Sequence, residues 1–252
     1  MKRRGVAMTL KGPLRDGRRP HLQIREPEQT SAVVLVMHGG KVSSGRPARW
    51  NHLSVVRMRP FARAVERRGR SNGVAVWSLL FACRGWNGDG APVADALWAL
   101  NEIEARYGSV PVVLLGHSMG GRTAIRVAGH PSVIGVVGLA PWLPEGEPIV
   151  QLADRALSII HGTSDVVIPI ELSRAFASKL GGGPTEVELI ALRGTGHTML
   201  RRARRWHGLA SGAVDRMLTH GTRSGQRAGV VTSGVDRRLP TGSREPRSVR
   251  TE

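Results

Sequence analysis

Ser118 stands between two glycines in Gly116-His117-Ser118-Met119-Gly120, directly after the apolar run 112–115 and before a segment with helical spacing. A serine hydroxyl is a weak nucleophile until a neighbouring base takes its proton during attack. A G-x-S-x-G sequence between a strand and a helix makes a tight, strained turn that lifts the hydroxyl above the strand ends. Side chains at 116 or 120 would collide with the flanking elements. The same glycines also suit a turn with no chemistry, so the motif needs partners elsewhere in the chain. Asp165, in "HGTSDVVIP", falls in a polar turn just past an apolar run, and His197, in "RGTGHTML", falls in a Gly-rich loop after the last such run. An imidazole base and a carboxylate to orient it are what a nucleophilic serine requires. Upstream, "VMHGG" ends another apolar run in His38-Gly39-Gly40, where the backbone can approach a substrate closely.

Other residues compete for these roles. Asp154, Glu145 and Glu147 lie near enough in sequence to rival Asp165 as the acid, but most such carboxylates are solvated surface charges. His38, His117 and His161 all abut strand ends and read as hydrogen-bonding residues without a proton-transfer role. Arg122, one turn after the serine, reads as packed or paired on its helix rather than as a site for an acidic substrate group. Residues 85–90, GWNGDG, have their glycines in the wrong order for a dinucleotide loop and no lysine after them for a P-loop, so they read as a turn. Asp89 and Asp95 are too sparse to imply a metal, and no Cys/His cluster has zinc spacing. Trp142 and Met199 lie beside the candidate loops and are the candidate substrate-binding residues of an apolar pocket.

Elements must hold these residues together. Residues 32–37, 73–81, 110–115, 132–140, 156–162 and 185–192 read as strands, being short apolar runs with turn residues after them. Helical spacing appears over about 52–68, from Pro92 to about Gly108, after Ser118, over 170–180 and over about 198–218. This alternation predicts an α/β fold: a mostly parallel central sheet with helices on both faces. Each candidate residue then falls beyond the carboxyl end of a strand, where such sheets bind ligands.

Bulk properties set the boundaries. The 252 residues are enough for one well-buried domain, placed at 31–220, preceded by a basic segment 1–30 able to add an edge strand. No apolar run approaches membrane-spanning length, and the short segment after Met1-Lys2-Arg3-Arg4 does not fit a signal peptide, so a cytoplasmic protein is expected. The lone Cys83 fits a reducing compartment. The formal charge of +18 invites a nucleic-acid reading, but the charge is uneven. Residues 1–30 hold 8 Lys/Arg against 3 Asp/Glu, residues 201–252 hold 12 against 4, and only four of the 37 basic residues are lysine. Such an arginine skew with abundant glycine reads as compositional bias. Residues 221–252 have almost no large apolar side chains and are predicted to be a disordered basic tail, offering at most weak electrostatic contact to anions. Nucleic acid and membrane are therefore not the expected partners.

Taken together, Gly116-His117-Ser118-Met119-Gly120-Gly121, Asp165, His197 and His38-Gly39-Gly40, in that arrangement, resemble the α/β-hydrolase superfamily. The similarity is to its small bacterial members without a separate lid domain, such as esterases and dienelactone hydrolases. It spans roughly residues 30–210, and "RGWNG" at 84–88 is similar to a loop of the same family. About 17 residues separate the strand ending near 140 from the next, too few for a lid. The resemblance implies Ser118 as nucleophile, His197 as base, Asp165 as its orienting acid, and an oxyanion hole from the N–H groups of Gly40 and Met119. It further implies a small acyl substrate (ester, thioester or amide), an acyl-enzyme, and no cofactor or metal. A peptidase or an acyltransferase would use the same triad, and a non-catalytic protein acting through its basic tail is the reading from another class.

Overall fold

The computed structural model describes residues 7–220 except Asp89, Gly182 and Pro184; the tail at 221–252 lies outside the described residues. Eight strands form one sheet: β1 (Ala7–Lys11), β2 (His21–Arg25), β3 (Ala32–Met37), β4 (Val74–Leu80), β5 (Val112–His117), β6 (Val133–Leu139), β7 (Ala156–Gly162) and β8 (Glu186–Leu192). Their spatial order is β1-β2-β4-β3-β5-β6-β7-β8. From β4 to β8 every pairing is parallel, while β2 joins β4 antiparallel, with His21 opposite Leu80. The segment before residue 31 thus supplies a hairpin rather than a single edge strand. Leu22 and Ile24 of that hairpin are fully buried, which ties it to the core.

Both faces of the sheet are apolar, and the period of two along each strand divides them. Val33, Leu35 and Met37 of β3, with Val112 and Leu114 of β5, point into one core layer. That layer is covered by α3 (Ala91–Tyr107), α4 (Met119–Arg126) and α5 (Ile170–Lys179). Val34, Val36, Val113 and Leu115 point into the other, which α2 (Arg59–Gly69) and α6 (Ala203–His220) cover with Phe61, Val65, Trp206 and Val214. This two-sided burial is why the central strands read as unbroken apolar runs.

Two expected helices differ from the sequence reading. The pattern over 52–68 splits into a single turn, α1 (Leu53–Val56), and α2, because Pro60 carries no N–H to continue the ladder and instead restarts the helix near its first turn. The last helix begins at Ala203, not 198: Met199 and Arg202 sit at φ of 57° and 56°, a left-handed conformation that a right-handed helix cannot contain.

The chain passes from β3 to β4 by α2 on one face, then from β4 back across β3 to β5 by α3 on the other. The reversal leaves a crevice at the carboxyl ends of β3 and β5. Gly40 follows one of these strands and Ser118 the other. Between β6 and β7 run only residues 140–155, containing one short helical turn (Val150–Leu152) and no lid domain.

Candidate active site

Ser118 has φ 53° and ψ −117°, a combination rarely adopted by a residue with a side chain. Three backbone hydrogen bonds hold it there: its N–H donates to Leu139 O at 3.0 Å, and its carbonyl accepts from Arg122 N and Trp142 N at 3.1 Å each. The glycines have steric reasons. A Cβ on Gly116 would collide with the Gly120 carbonyl, and one on Gly120 would lie 2.6 Å from both the Met37 and His38 oxygens. The turn is therefore wedged between the ends of β3 and β6, with its hydroxyl-bearing residue 8% exposed.

Asp165 and His197 come together from loops after β7 and β8. His197 Nδ1 donates to Asp165 Oδ2 at 2.8 Å. The other carboxylate oxygen accepts from the N–H groups of Val167 and Ile168, both at 2.9 Å, which fixes the carboxylate plane. The two loops are laced to each other: Ser164 N donates to Thr195 O at 3.0 Å and Gly194 N to Thr163 Oγ1 at 2.9 Å. At the end of β7, Gly162 has no room for a side chain because the Thr195 carbonyl occupies its place. The rival carboxylates are elsewhere: Glu145 and Asp154 are exposed, and Glu147 is buried against Arg122 and Arg126.

Three neutral imidazoles frame this pair. His161, fully buried, accepts from Ser173 Oγ at 2.8 Å and donates to Ile168 O at 3.0 Å, with Asp165 Oδ2 3.3 Å away, so it holds the Asp165 turn. Burial lowers its pKa. His117 donates from Nε2 to the His197 carbonyl at 3.1 Å, and the two rings lie 4.8 Å apart. The residue before the serine thus anchors the loop carrying the candidate base. Its Nδ1 is buried with no partner among the described residues, and burial above all, then the nearby His197, brings its pKa down to about 3. His38 accepts from Phe81 N at 3.2 Å through Nε2, so its proton sits on Nδ1, which donates to Gly39 O at 2.7 Å. Its pKa is lowered to about 4, again chiefly by burial.

Gly40 lies against the Met119 side chain, with room for no Cβ of its own. Among the described residues, neither the Gly40 nor the Met119 N–H donates to a protein acceptor. Met119 also opens α4, where unsatisfied N–H groups carry partial positive charge. Of the two candidate pocket residues, Trp142 is half-buried and sits on the Ser118 carbonyl through its amide. Met199 is not at the mouth: it is 2% exposed and packs in the layer under α6. Its backbone is left-handed, which the sequence position alone could not show. Asp95, considered for a metal, is instead a buried carboxylate taking Arg15 Nη1 at 3.1 Å and Ala82 N at 2.8 Å. Asp89 lies outside the described residues.

No protein-family model and no curated protein sequence matches the chain. Solved structures do. A propionate-bound thermophilic esterase from Thermogutta terrifontis superposes with a TM-score of 0.65 at 20% identity, covering 85% of this chain and 94% of that one. A serine hydrolase without lid from Xanthomonas campestris gives 0.62 at 20% identity, covering 86% and 96%. An alpha-beta serine hydrolase homologue from Coxiella burnetii gives 0.63 at 19% identity, covering 84% and 98%. The chain has the α/β-hydrolase fold. At these identities the likeness concerns the fold, and the chemistry of this α/β-hydrolase-fold chain has to be argued from its own residues. Those residues include Trp86 and Glu147, which the sequence offers as a turn residue and as a rival acid; in the structure both contact Arg122.

Proposed function

We propose that the protein is a serine hydrolase that cleaves a small ester, thioester or amide through an acyl-enzyme on Ser118, with carboxylic esters as the favoured substrates. The observation that carries the reading is the Asp165–His197 hydrogen bond of 2.8 Å, docked through His117 against the strained turn that presents Ser118. Ser118 Oγ attacks the acyl carbonyl while His197 Nε2 takes its proton. Asp165 keeps the ring's other proton on Nδ1 and stabilises the imidazolium. The oxyanion is received by the N–H groups of Gly40 and Met119, each worth about 3–4 kcal/mol in the transition state. His197 then protonates the leaving group, and a water activated by the same imidazole releases the acid. The structural neighbours described as serine hydrolases and esterases favour this reading over an acyltransferase or peptidase.

A fluorophosphonate probe tests it. Labelling of the folded protein that is lost in Ser118→Ala, with ester turnover falling about 10³-fold or more, is the expected result. A folded wild-type protein that is neither labelled nor active on an acyl-ester panel would overturn it. No helix among the described residues is long and apolar enough to cross a membrane.

A further inference from the structure

The segment between β6 and β7, where a lid would be inserted, is held down by a buried cation. Arg122 lies in the first turn of α4, and its guanidinium stacks 4.0 Å from the ring centre of Trp86 and 4.5 Å from that of Trp142. The two indoles meet edge to face at 6.1 Å. Arg122 Nε donates to Glu147 Oε2 at 2.8 Å, and Arg126 takes the other oxygen of the same carboxylate. Glu147 is almost wholly buried, its side chain 1% exposed. Trp142 and Glu147 both belong to the segment 140–155, so α4 grips that segment at two points. A third tie is the Trp142 amide on the Ser118 carbonyl.

A buried ion pair is a poor device for stability, since apolar residues of similar volume stabilise as well or better. What it offers is a fixed arrangement. A guanidinium tied by one hydrogen bond to a buried carboxylate, which Arg126 holds from its other oxygen, and faced by two indoles has little freedom, and the Trp142 ring inherits that constraint. We infer that Arg122 is a positioning residue, and that by fixing the Trp142 ring beside the elbow it sets the length of acyl group the site accepts. The inference rests on the serine-hydrolase reading above. Trp142 is then the wall, with Arg122, Trp86 and Glu147 as its mounting. This arrangement accounts for how the segment whose backbone bonds the Ser118 carbonyl keeps its large ring at a defined place.

The test compares p-nitrophenyl acetate with p-nitrophenyl octanoate, each rate normalised to active sites titrated with a fluorophosphonate. Trp142→Ala and Arg122→Gln should both raise the octanoate-to-acetate ratio of kcat/KM, by about tenfold or more, the scale on which pocket size discriminates between acyl groups. The double variant should match Trp142→Ala alone, because Arg122 acts through the ring. Acrylamide quenching of tryptophan fluorescence should rise in Arg122→Gln. A purely structural role would lower the active fraction and leave the ratio unchanged, and that result overturns the inference, as does full additivity in the double variant. If Arg122→Gln does not fold, Arg122→Lys decides: it keeps a cation near the rings but loses the planar guanidinium and its Nε bond to Glu147, so the ratio should shift less in the same direction, and no shift overturns the inference. A wild type that is neither labelled nor active overturns the hydrolase reading and the inference with it; a labelled wild type with an unchanged ratio in the variant overturns the inference alone.

Discussion

Lowering the pH from 7.5 to 5.0 should cost this fold about 4 kcal/mol of stability, and two buried imidazoles near the site carry that loss. In the unfolded chain a histidine titrates near 6.5. Folded, His38 titrates at about 4 and His117 at about 3, both chiefly because burial disfavours the cation. Below pH 6.5 the unfolded chain therefore binds protons that the folded protein refuses, and stability falls with falling pH until the folded values are reached. Each pH unit is worth about 1.4 kcal/mol per group, so at pH 5.0 each histidine contributes a loss of about 2 kcal/mol. The hydrogen bonds agree with the sign. Protonating His38 Nε2 would set an N–H against the N–H of Phe81, and protonating His117 Nδ1 would bury an unpartnered charge. His161, also pushed down by burial, adds to the loss in the same direction. Most carboxylates of the unfolded chain are still ionised at pH 5.0, which leaves the window to histidine. Urea unfolding followed by tryptophan fluorescence at the two pH values measures the difference, given a constant m-value. In His117→Gln the amide can still donate to the His197 carbonyl, and the pH-dependent loss should shrink by about 2 kcal/mol. Unfolding free energies at pH 7.5 and 5.0 that agree within about 1 kcal/mol, or an undiminished loss in His117→Gln, would refute the reasoning.

The remaining predictions concern the loops that carry Asp165 and His197. In Asp165→Asn the fold should survive, because an amide oxygen can still accept from Val167 and Ile168, while kcat should fall about 10⁴-fold as His197 loses its tautomer and its counter-charge; a loss under tenfold would remove Asp165 from the proposed mechanism. In Gly162→Ala the new methyl group must displace the Thr195 carbonyl, prising the His197 loop away from the end of β7. Fluorophosphonate labelling should then slow by at least about tenfold while the melting transition stays cooperative, since a misplacement of about 1 Å is enough to cost 10²-fold; labelling at the wild-type rate would show that the loop is not held there.

What the sequence made legible and what it hid have a common cause, the distance over which each signal acts. The inner parallel strands are readable because each is buried on both faces, and that burial writes itself into consecutive residues such as 32–37 and 112–115. Gly116 and Gly120 are readable for the same reason, since the collision each avoids lies within a few residues or at the next strand end. The hairpin before residue 31 was faint because only Leu22 and Ile24 mark it within a strongly charged segment. The burial of Met199 in the layer under α6 was not legible, because the left-handed backbone there leaves no mark on the residue types around it. Of the Arg122 cluster only an arginine packed or paired on its helix was legible, not its partners: Glu147 is 25 positions from Arg122, and Trp86 lies in a loop after a different strand. Its members look in sequence like a surface arginine, a solvated carboxylate and a turn tryptophan, and only the folding of the loops after β4, β5 and β6 at one end of the sheet makes them neighbours. Groups that perform chemistry have to be named by short local rules, because the strain and steric exclusion around them are local. Groups that only hold the chemistry in place can be drawn from anywhere the fold brings together, and in this chain the proposed ones, Arg122, Trp86 and Glu147, stand one step behind the proposed Ser118, Asp165 and His197.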